Sequence, residues 1–296
     1  MGPPMERAGG KVKLGVAIVT MGTRPTELAA LLDSVLRQTV PADRIVVVGN
    51  GCRLTGLPDG VTAVELPENE GVTGGRNAAL AELTDVDLVL DLDDDGLLVD
   101  DEVFARIVAL FEGNPRLGIV GFRIADETGV TQRRHVPRLR AGDPMRGGRV
   151  TGFLGGAHVL RSAMLTEVGP WPEAFFFAHE ETDMAWRALN GGWEVQYAPE
   201  LLLQHPRTSP TRHAFFFRLN ARNRVYLARR HLPGPLVPVY LGIWIVLTVL
   251  RTRSAAGLRA WFGGFAEGWR TPCGSRRPMA WRTVWTMTRL GRPPII

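Results

Sequence analysis

The first residues that could do chemistry are three consecutive acids, Asp93, Asp94 and Asp95. They follow an apolar run, Val86 to Leu92, that is typical of a buried strand. Side chains alternate along an extended chain, so Asp93 and Asp95 would share one side and Asp94 would point to the other. Two carboxylates on one side make a hard oxygen site for Mg²⁺ or Mn²⁺, the ions that bridge diphosphates. A solvated acidic turn is the alternative.

A second acid cluster, Glu180, Glu181 and Asp183, opens a predicted helix. Acids in a first helical turn stabilise the positive end of the helix dipole, and that structural role explains most clusters of this kind. His205 follows the apolar run Leu201 to Leu203. Taken alone, it is most simply a packed histidine of the core or the surface.

A glycine-rich segment, Asn69 to Asn77, leads into a predicted helix over Gly75 to Leu83. Such a loop can approach phosphates through its backbone N–H groups, and Arg76 adds a positive charge. The segment does not read Gly-x-Gly-x-x-Gly and the chain has no Gly-Lys-Ser/Thr, which disfavours dinucleotide and P-loop sites. The absence of a Gly-x-Ser-x-Gly elbow argues against an α/β-hydrolase.

These residues need a scaffold, and the chain alternates predicted strands with predicted helices. The strands are expected at 14–20, 45–48, 61–66, 86–92, 117–122 and 193–198, and the helices of this part at 28–36, 75–83 and 103–111. Such alternation predicts an α/β fold with a mostly parallel sheet flanked by helices. Ligands of these sheets bind beyond the carboxyl ends of the strands. Because Thr20, Asn50 and Asp93 stand at such ends, we expect them to face one crevice, with Arg123 to Val150 as a long loop nearby.

Composition excludes several classes of protein. The chain has 296 residues, of which 45% are apolar and 22% charged, so it can bury a sizeable core. Cys52 and Cys273 are its two cysteines, which excludes a disulfide scaffold or a zinc ribbon and fits a reducing compartment. Residues 1–13 are rich in glycine, proline and charge, so we expect a short disordered leader and no secretory signal.

Positive charge is concentrated in the C-terminal part. From His205 onward there are 16 arginines, no lysine and one acid, Glu267, which gives a net charge of +15 within a chain of net charge +5. The preceding part is therefore acidic. Basic tails bind nucleic acid or anionic membranes, and the aromatic residues and long apolar runs of this one favour a membrane surface and no nucleic acid.

One apolar run in this tail approaches the length of a membrane span. Leu232 to Leu250 contains 19 uncharged residues, and a span needs ~20. Pro233, Pro235 and Pro238 leave a clean helix of about 12 residues. We expect a shallow or re-entrant insertion, with a full span and an ordinary buried helix as the alternatives.

Taken in order, these motifs resemble those of family 2 inverting glycosyltransferases with the GT-A (Rossmann-like) fold. The resemblance rests on LAALLDSVLRQT, VVVGNGC, NEGVTGGRN, LDLDDDG, FFFAHEETDMAWRALNGGWEVQYAP and the closing QH, over Val16 to His205. The bacterial rhamnosyl- and galactofuranosyltransferase-like group is most similar, with an Arg-Asn-Arg segment, here Arg222-Asn223-Arg224, before a membrane-associated tail. The implied organisation is a leader at 1–13, a catalytic domain at 14–205 and a helical membrane-associating region at 206–296.

The resemblance also implies roles for individual residues. The donor nucleotide would be bound by Thr20, Asn50, Arg76, Asp93 and Asp94. Mg²⁺ or Mn²⁺ would be held against the diphosphate of a UDP-, dTDP- or GDP-linked sugar by Asp93, Asp95 and His205. The catalytic acids would be Glu181 as the base, Glu180 as the alternative base, and Asp183, which would orient that region or contact the acceptor.

The chain departs from the family pattern at two positions. The family usually has Asp at the position of Gly49, so Asn50 would have to take over recognition of the base and ribose. The base motif usually reads Glu-Asp or Asp-Asp, whereas this chain has Glu180-Glu181, with one extra methylene. In the implied reaction a carboxylate deprotonates an acceptor hydroxyl, which attacks the anomeric carbon while the nucleoside diphosphate leaves from the opposite face. One displacement of this kind inverts the configuration.

The implied setting is synthesis of cell-envelope polysaccharide on a glycan or lipid-linked acceptor, by a cytoplasmic enzyme held peripherally at the inner face of the plasma membrane. Two alternatives stay open. A sugar-1-phosphate nucleotidyltransferase also uses acids on a metal, but Met21 to Pro25 is short for the N-terminal glycine-rich loop of that class. A non-catalytic GT-A-like membrane adaptor would have no need of intact acids at Asp93, Asp95, Glu181 and Asp183.

Overall fold

A computed structural model describes residues 11–140, 143–207 and 214–296. The predicted leader at 1–13 therefore lies outside the described residues, apart from its last three. Within the described ranges one sheet contains nine strands. They are β1 (Leu14–Thr20), β2 (Arg44–Asn50), β3 (Val61–Leu66), β4 (Leu88–Asp93), β5 (Leu97–Leu98), β6 (Leu117–Ala125), β7 (Gly148–Arg149), β8 (Ala157–Arg161) and β9 (Glu194–Gln204).

The N-terminal half of the sheet is parallel, as predicted. Its order is β3-β2-β1-β4, and each neighbouring pair runs in the same direction. Val19 lies opposite both Val48 of β2 and Asp93 of β4. This register brings the ends of β1, β2 and β4 to one edge, where the sequence predicted a crevice. The cleft beyond these ends is lined by Asp93 but not by Thr20 or Asn50, so the shared crevice stays a prediction.

The other half of the sheet corrects the prediction of a mostly parallel sheet. The order continues β4-β8-β6-β9-β5, and β8 is antiparallel to both β4 and β6, while β5 and β7 are antiparallel to β9. Only β6 and β9 are parallel in this half. The sheet is therefore mixed. Strand direction was not predictable because β8 is buried on both faces and its apolar pattern is the same in either direction.

Helices cover the sheet and extend the fold at its C-terminal side. The described residues form the helices α1 (Pro25–Leu36), α2 (Gly71–Glu82), α3 (Val103–Glu112), α4 (Ser162–Val168), α5 (Glu180–Gly191), α6 (Ala214–His231), α7 (Leu236–Arg251), α8 (Ala255–Arg270) and α9 (Trp281–Arg289). In α1 the apolar residues Leu28, Leu31, Leu32 and Val35 are buried at helical spacing, whereas Leu36 is exposed. Pro25 occupies the first turn, where its missing N–H costs nothing.

The glycine-rich segment, which was predicted as a loop, begins a helix in the structure. Gly71 to Gly75 forms the first turn of α2, which starts four residues before the predicted helix. A Cβ on Gly75 would lie 2.5 Å from Val19 Cγ1 of β1. The glycines thus allow the helix to lie directly on the strand, a packing role that the sequence pattern alone did not distinguish from phosphate binding.

The basic C-terminal part shares a core with the catalytic part. One buried cluster contains residues of α5, such as Met184, together with residues of α6, α7 and α9, such as Val225, Tyr240 and Met287. Position 205 is thus a boundary in composition, while the hydrophobic core continues across it. Among the described helices, none combines the length and apolarity that crossing a bilayer requires.

Candidate active site

The three predicted metal ligands lie together beyond the end of β4. Asp93 is the last residue of that strand, and His205 directly follows β9, whose Gln204 pairs with Leu97 of β5. The antiparallel pairing of β5 with β9 returns His205 to the Asp93–Asp95 turn. One ligand atom from each of Asp93, Asp95 and His205 lies within 4.8 Å of the others.

The histidine and the aspartates of this cluster shift the pKa values of one another. His205 Nε2 lies 3.0 Å from Asp95 Oδ1 and 3.9 Å from Asp93 Oδ2. The hydrogen bond to Asp95 raises the pKa of His205, although burial opposes that shift. Burial also favours the neutral form of Asp95, but His205 and Arg24 outweigh it and lower the pKa of Asp95. Two carboxylates and one imidazole in so compact a cluster fit a divalent cation, whose positive charge would replace that of protonated His205.

Asp94 has its own partner in Thr20, as expected for a side chain that points away from Asp93 and Asp95, and it shares Arg24 with Asp95. Its carboxylate accepts a hydrogen bond from Thr20 Oγ1 at 2.6 Å and pairs with Arg24 at 3.2 Å. Arg24 also lies 2.7 Å from Asp95 Oδ2. The sequence analysis missed Arg24, although a basic residue in the loop after β1 was a usable signal. The predicted contacts of Thr20 and Asp94 with a nucleotide stay predictions.

Members of the candidate metal cluster and of the second acid cluster line the same cleft. This cleft has a volume of about 250 Å³, and its walls include Asp93, His205, Arg76, Glu180 and Glu181. The first acid cluster stands at the end of β4, and the second opens α5. Their convergence supports the expectation that base and metal act on one substrate.

The two glutamates differ in environment. Glu180 is 2% exposed and lies 3.6 Å from the Arg76 guanidinium. Burial and the nearby charge of Glu181 raise the pKa of Glu180 well above its ordinary value, against the opposing effect of Arg76. Glu181 is partly exposed and contacts Gly155 so closely that a side chain there would collide with its Oε1. Glu181 is therefore the more accessible proton acceptor of the pair.

Arg76 lines the cleft but is largely engaged by the protein. It is 4% exposed, donates to the Gly155 carbonyl at 2.8 Å, lies 3.8 Å from Asp91 and stacks over Trp171 at 4.8 Å. Asp91 in turn lies 3.2 Å from the buried His158. The sequence analysis missed Asp91, although an acid within an apolar strand, two residues before Asp93, marks the same face. A contact between Arg76 and the donor stays a prediction.

Asn50 holds backbone next to the site. Its Nδ2 donates to Asn69 Oδ1 at 3.1 Å and to the Gly71 carbonyl at 3.0 Å, and its Oδ1 accepts from the Glu70 N–H at 2.9 Å. These bonds fix the entry into α2. A Cβ on Gly49 would collide with the Cys52 carbonyl, so this backbone has no room for the Asp that the family usually has there.

Asp183 faces away from the cleft. It is fully buried, and its carboxylate accepts hydrogen bonds from Arg187 Nε at 2.7 Å and Arg230 Nε at 2.9 Å, and lies 2.5 Å from His231 Nε2. Burial alone would raise the pKa of Asp183, but His231 and the two arginines outweigh it and hold that pKa well below its ordinary value. Of its two predicted roles, this geometry supports orientation of α5 against α6 and gives no path to an acceptor.

We expect Asp183→Asn to lower the free energy of unfolding by about 3–5 kcal/mol at neutral pH, because it leaves buried cations without their counter-charge. The low pKa of Asp183 stabilises the fold above the unfolded value of about 4 and loses that effect as pH falls toward the folded value. The gap between wild type and variant should therefore narrow below about pH 4. Urea unfolding at pH 7 and pH 3 measures it. Asp101→Asn, which removes an exposed pair with Arg37, should change neither midpoint.

The segment before α5 has an unusual backbone. Phe176, Ala178 and His179 have positive φ angles of 62°, 69° and 70°. Such conformations cost about 1–3 kcal/mol each for residues other than glycine and persist only where neighbours enforce them. The Phe176 carbonyl accepts from the Val72 N–H at 2.8 Å, and any side chain on Gly71 would collide with that carbonyl. The strained segment ends at Glu180.

Comparisons with known proteins bear on the family and the fold of this chain. The family model described as "Glycosyl transferase family group 2" matches residues 88–290. A curated relative, the O-antigen chain rhamnosyltransferase RfbN of Salmonella typhimurium, is 23% identical over 202 residues, which are 62% of this chain and 64% of that protein. The chain thus spans less than two thirds of the relative's length.

Solved structures share the fold. S. aureus TarS matches with a TM-score of 0.60 at 16% identity, over 88% of this chain and 49% of that one. The mannosyltransferase PcManGT from Pyrobaculum calidifontis, in complex with GDP-Man and Mn²⁺, matches with a TM-score of 0.58 at 17% identity, over 95% of this chain and 85% of that one. At these identities the similarity establishes a common architecture.

Proposed function

This chain belongs to glycosyl transferase family group 2, and we propose that it moves a sugar from a nucleoside-diphosphate donor to a hydroxyl of a glycan or lipid-linked acceptor with inversion. The observation that carries the proposal is the shared cleft, which is lined by Glu181 and by Asp93 and His205 of the candidate metal cluster. Cell-envelope polysaccharide is the proposed product, because the curated relative is an O-antigen chain rhamnosyltransferase.

The cluster of Asp93, Asp95 and His205 would hold Mn²⁺ or Mg²⁺, since its donor atoms are close together and chemically suited to either ion. Such an ion supplies neutralisation of negative charge on a departing diphosphate. Arg24, which pairs with Asp94 and Asp95, has a partly exposed guanidinium that can turn toward a phosphate oxygen. The donor diphosphate would therefore lie over the ends of β1 and β4.

Glu181 would take the proton of the acceptor hydroxyl as that oxygen attacks the anomeric carbon. The raised pKa of Glu180 favours its protonated form, which makes Glu180 the less suitable proton acceptor of the pair. Arg76 is held by Asp91 and Gly155 and keeps a fixed positive charge beside both glutamates. Since one base acts in a single displacement, the product has the inverted anomeric configuration.

A thermal-shift panel of UDP-, dTDP- and GDP-linked sugars, each with and without Mn²⁺, tests this function. A donor present at 100 times its Kd should stabilise the fold by about 2.7 kcal/mol. The stabilising donor is then incubated with acceptor mixtures, and the anomeric configuration of the product is read by NMR. Release of pyrophosphate from a nucleoside triphosphate and a sugar 1-phosphate would instead identify a nucleotidyltransferase. Failure of every donor to bind would support the non-catalytic adaptor.

We propose further that the C-terminal helices rest on an anionic membrane surface, which would place the protein at the inner face of the plasma membrane. In α7 the side chains of Val239, Val246, Val249 and Leu250 are 44%, 56%, 48% and 76% exposed. Exposed arginines follow at the end of α7 and beyond it, at Arg251, Arg253 and Arg259. An apolar face bordered by arginines matches the acyl and phosphate layers of such a surface.

Co-sedimentation with phosphatidylglycerol vesicles tests the membrane proposal. Val246→Glu should move most of the protein to the supernatant, because it places a negative charge on the proposed contact face. Val130→Glu is the matched control, since Val130 is 57% exposed and lies in the catalytic half. Equal sedimentation of the two variants would count against this surface. Binding that is lost in neutral phosphatidylcholine vesicles would support the role of the arginines.

A further inference from the structure

The Arg222-Asn223 pair of α6 contacts the strained segment that precedes α5. Asn223 is fully buried, and its Nδ2 donates to the carbonyls of Phe175, Phe177 and Ala178 at 2.9, 2.8 and 2.7 Å. The two protons of one side-chain NH₂ group are thus shared among three carbonyls of the same short segment. Buried carbonyls need hydrogen-bond donors, and residues 176–179 lie outside regular secondary structure, so side chains must supply those donors.

Arg222 sets the orientation of that amide. Its Nε donates to Asn223 Oδ1 at 3.0 Å, which fixes the NH₂ group on the side of the segment. Its terminal nitrogen also donates to the carbonyls of Ala174 and Phe175 at 3.0 and 2.9 Å. The pair therefore supplies five hydrogen bonds to residues 174–178. Both residues belong to α6, which follows residue 205 in the sequence and so lies in the basic C-terminal part.

These contacts are made to a segment whose backbone conformation is unfavourable. The positive φ angles of Phe176, Ala178 and His179 are unfavourable for side-chain-bearing residues, and the next residues are Glu180 and Glu181. If the segment relaxed, the start of α5 would shift with it. A displacement of about 1 Å at a reacting group is enough to cost on the order of 10²-fold in rate.

We infer that Asn223, oriented by Arg222, is a positioning residue that holds the 174–179 segment so that Glu181 faces the metal cluster. The inference rests on the proposed function for its catalytic consequence, and on the five hydrogen bonds for its structural part. It assigns a purpose to the Arg-Asn-Arg segment that the proposed reaction does not itself use.

The test compares Asn223→Ala with Asn190→Ala in the full chain. Asn190 is a matched control, because its Oδ1 accepts from the Ala280 N–H and Thr283 Oγ1 at 2.9 and 3.0 Å, at the opposite end of α5. Hydrogen exchange of the Phe175 to Phe177 amides should be at least about tenfold faster in Asn223→Ala than in Asn190→Ala. With the donor found above, kcat should fall at least about tenfold while the donor KM stays within about twofold.

Exchange in Asn223→Ala that matches Asn190→Ala would overturn the inference, and so would faster exchange with unchanged kcat. If Asn223→Ala does not fold, Arg222→Lys provides the same comparison, since a lysine cannot both orient the amide and reach two carbonyls. If wild type transfers no sugar from any donor, the proposed function fails. The exchange measurement then still decides whether the pair holds the segment.

Discussion

Glu181→Gln should lower kcat for sugar transfer by about 10²–10⁴-fold, the usual contribution of a general base. The amide keeps the shape of the side chain but cannot accept the hydroxyl proton. Donor binding should be nearly unchanged, because the metal cluster and Asp94 are untouched. The experiment measures kcat by product formation and the donor Kd by calorimetry with Mn²⁺.

Glu180→Gln is the comparison that decides between the two glutamates. Glu180 is buried beside Arg76 and its raised pKa favours the protonated form, which an amide resembles. We therefore expect a loss of at most about tenfold in kcat, through the altered contact with Arg76. A large loss in Glu180→Gln together with normal transfer by Glu181→Gln would reverse the assignment of the base.

Asp95→Asn should abolish the part of nucleotide binding that depends on Mn²⁺. Loss of a residue that merely supports a metal ligand costs about 10–100-fold in affinity, and removal of a ligand should cost at least as much. Asp95 is the most enclosed acid of the cluster and contacts both His205 and Arg24. Calorimetric titration of UDP, dTDP and GDP with and without Mn²⁺ measures the effect.

Two further measurements make this result specific. His205→Ala should weaken the Mn²⁺-dependent binding in the same way, because His205 belongs to the same cluster. Asp100→Asn removes a half-buried acid that pairs with Arg106 outside the cluster, and it should leave binding unchanged. Equal nucleotide affinity of wild type and Asp95→Asn at saturating Mn²⁺ would show that the cluster is not the metal site.

The amino-acid sequence determined the features that depend on local patterns. Apolar runs located β1 to β4 and β6, and the three acids Asp93 to Asp95 were expected at the end of β4, where they lie. Parallel pairing in the first half of the sheet then placed the ends of β1, β2 and β4 at one edge. These inferences succeed because strand periodicity is a local property and because strand–helix–strand connections follow general topological rules.

The tertiary structure alone decided what comes from distant parts of the chain. Four contacts join segments that are far apart in sequence. They are the antiparallel pairing of β8 with β4, the pairing of β9 with β5 that places His205, the hydrogen bond of Arg230 to Asp183, and the hydrogen bonds of Asn223 to residues 175–178. A buried strand or an arginine-rich helix has the same composition whichever neighbour it meets. Side-chain packing and hydrogen-bond pairing choose that neighbour, and they exist only once the chain is folded.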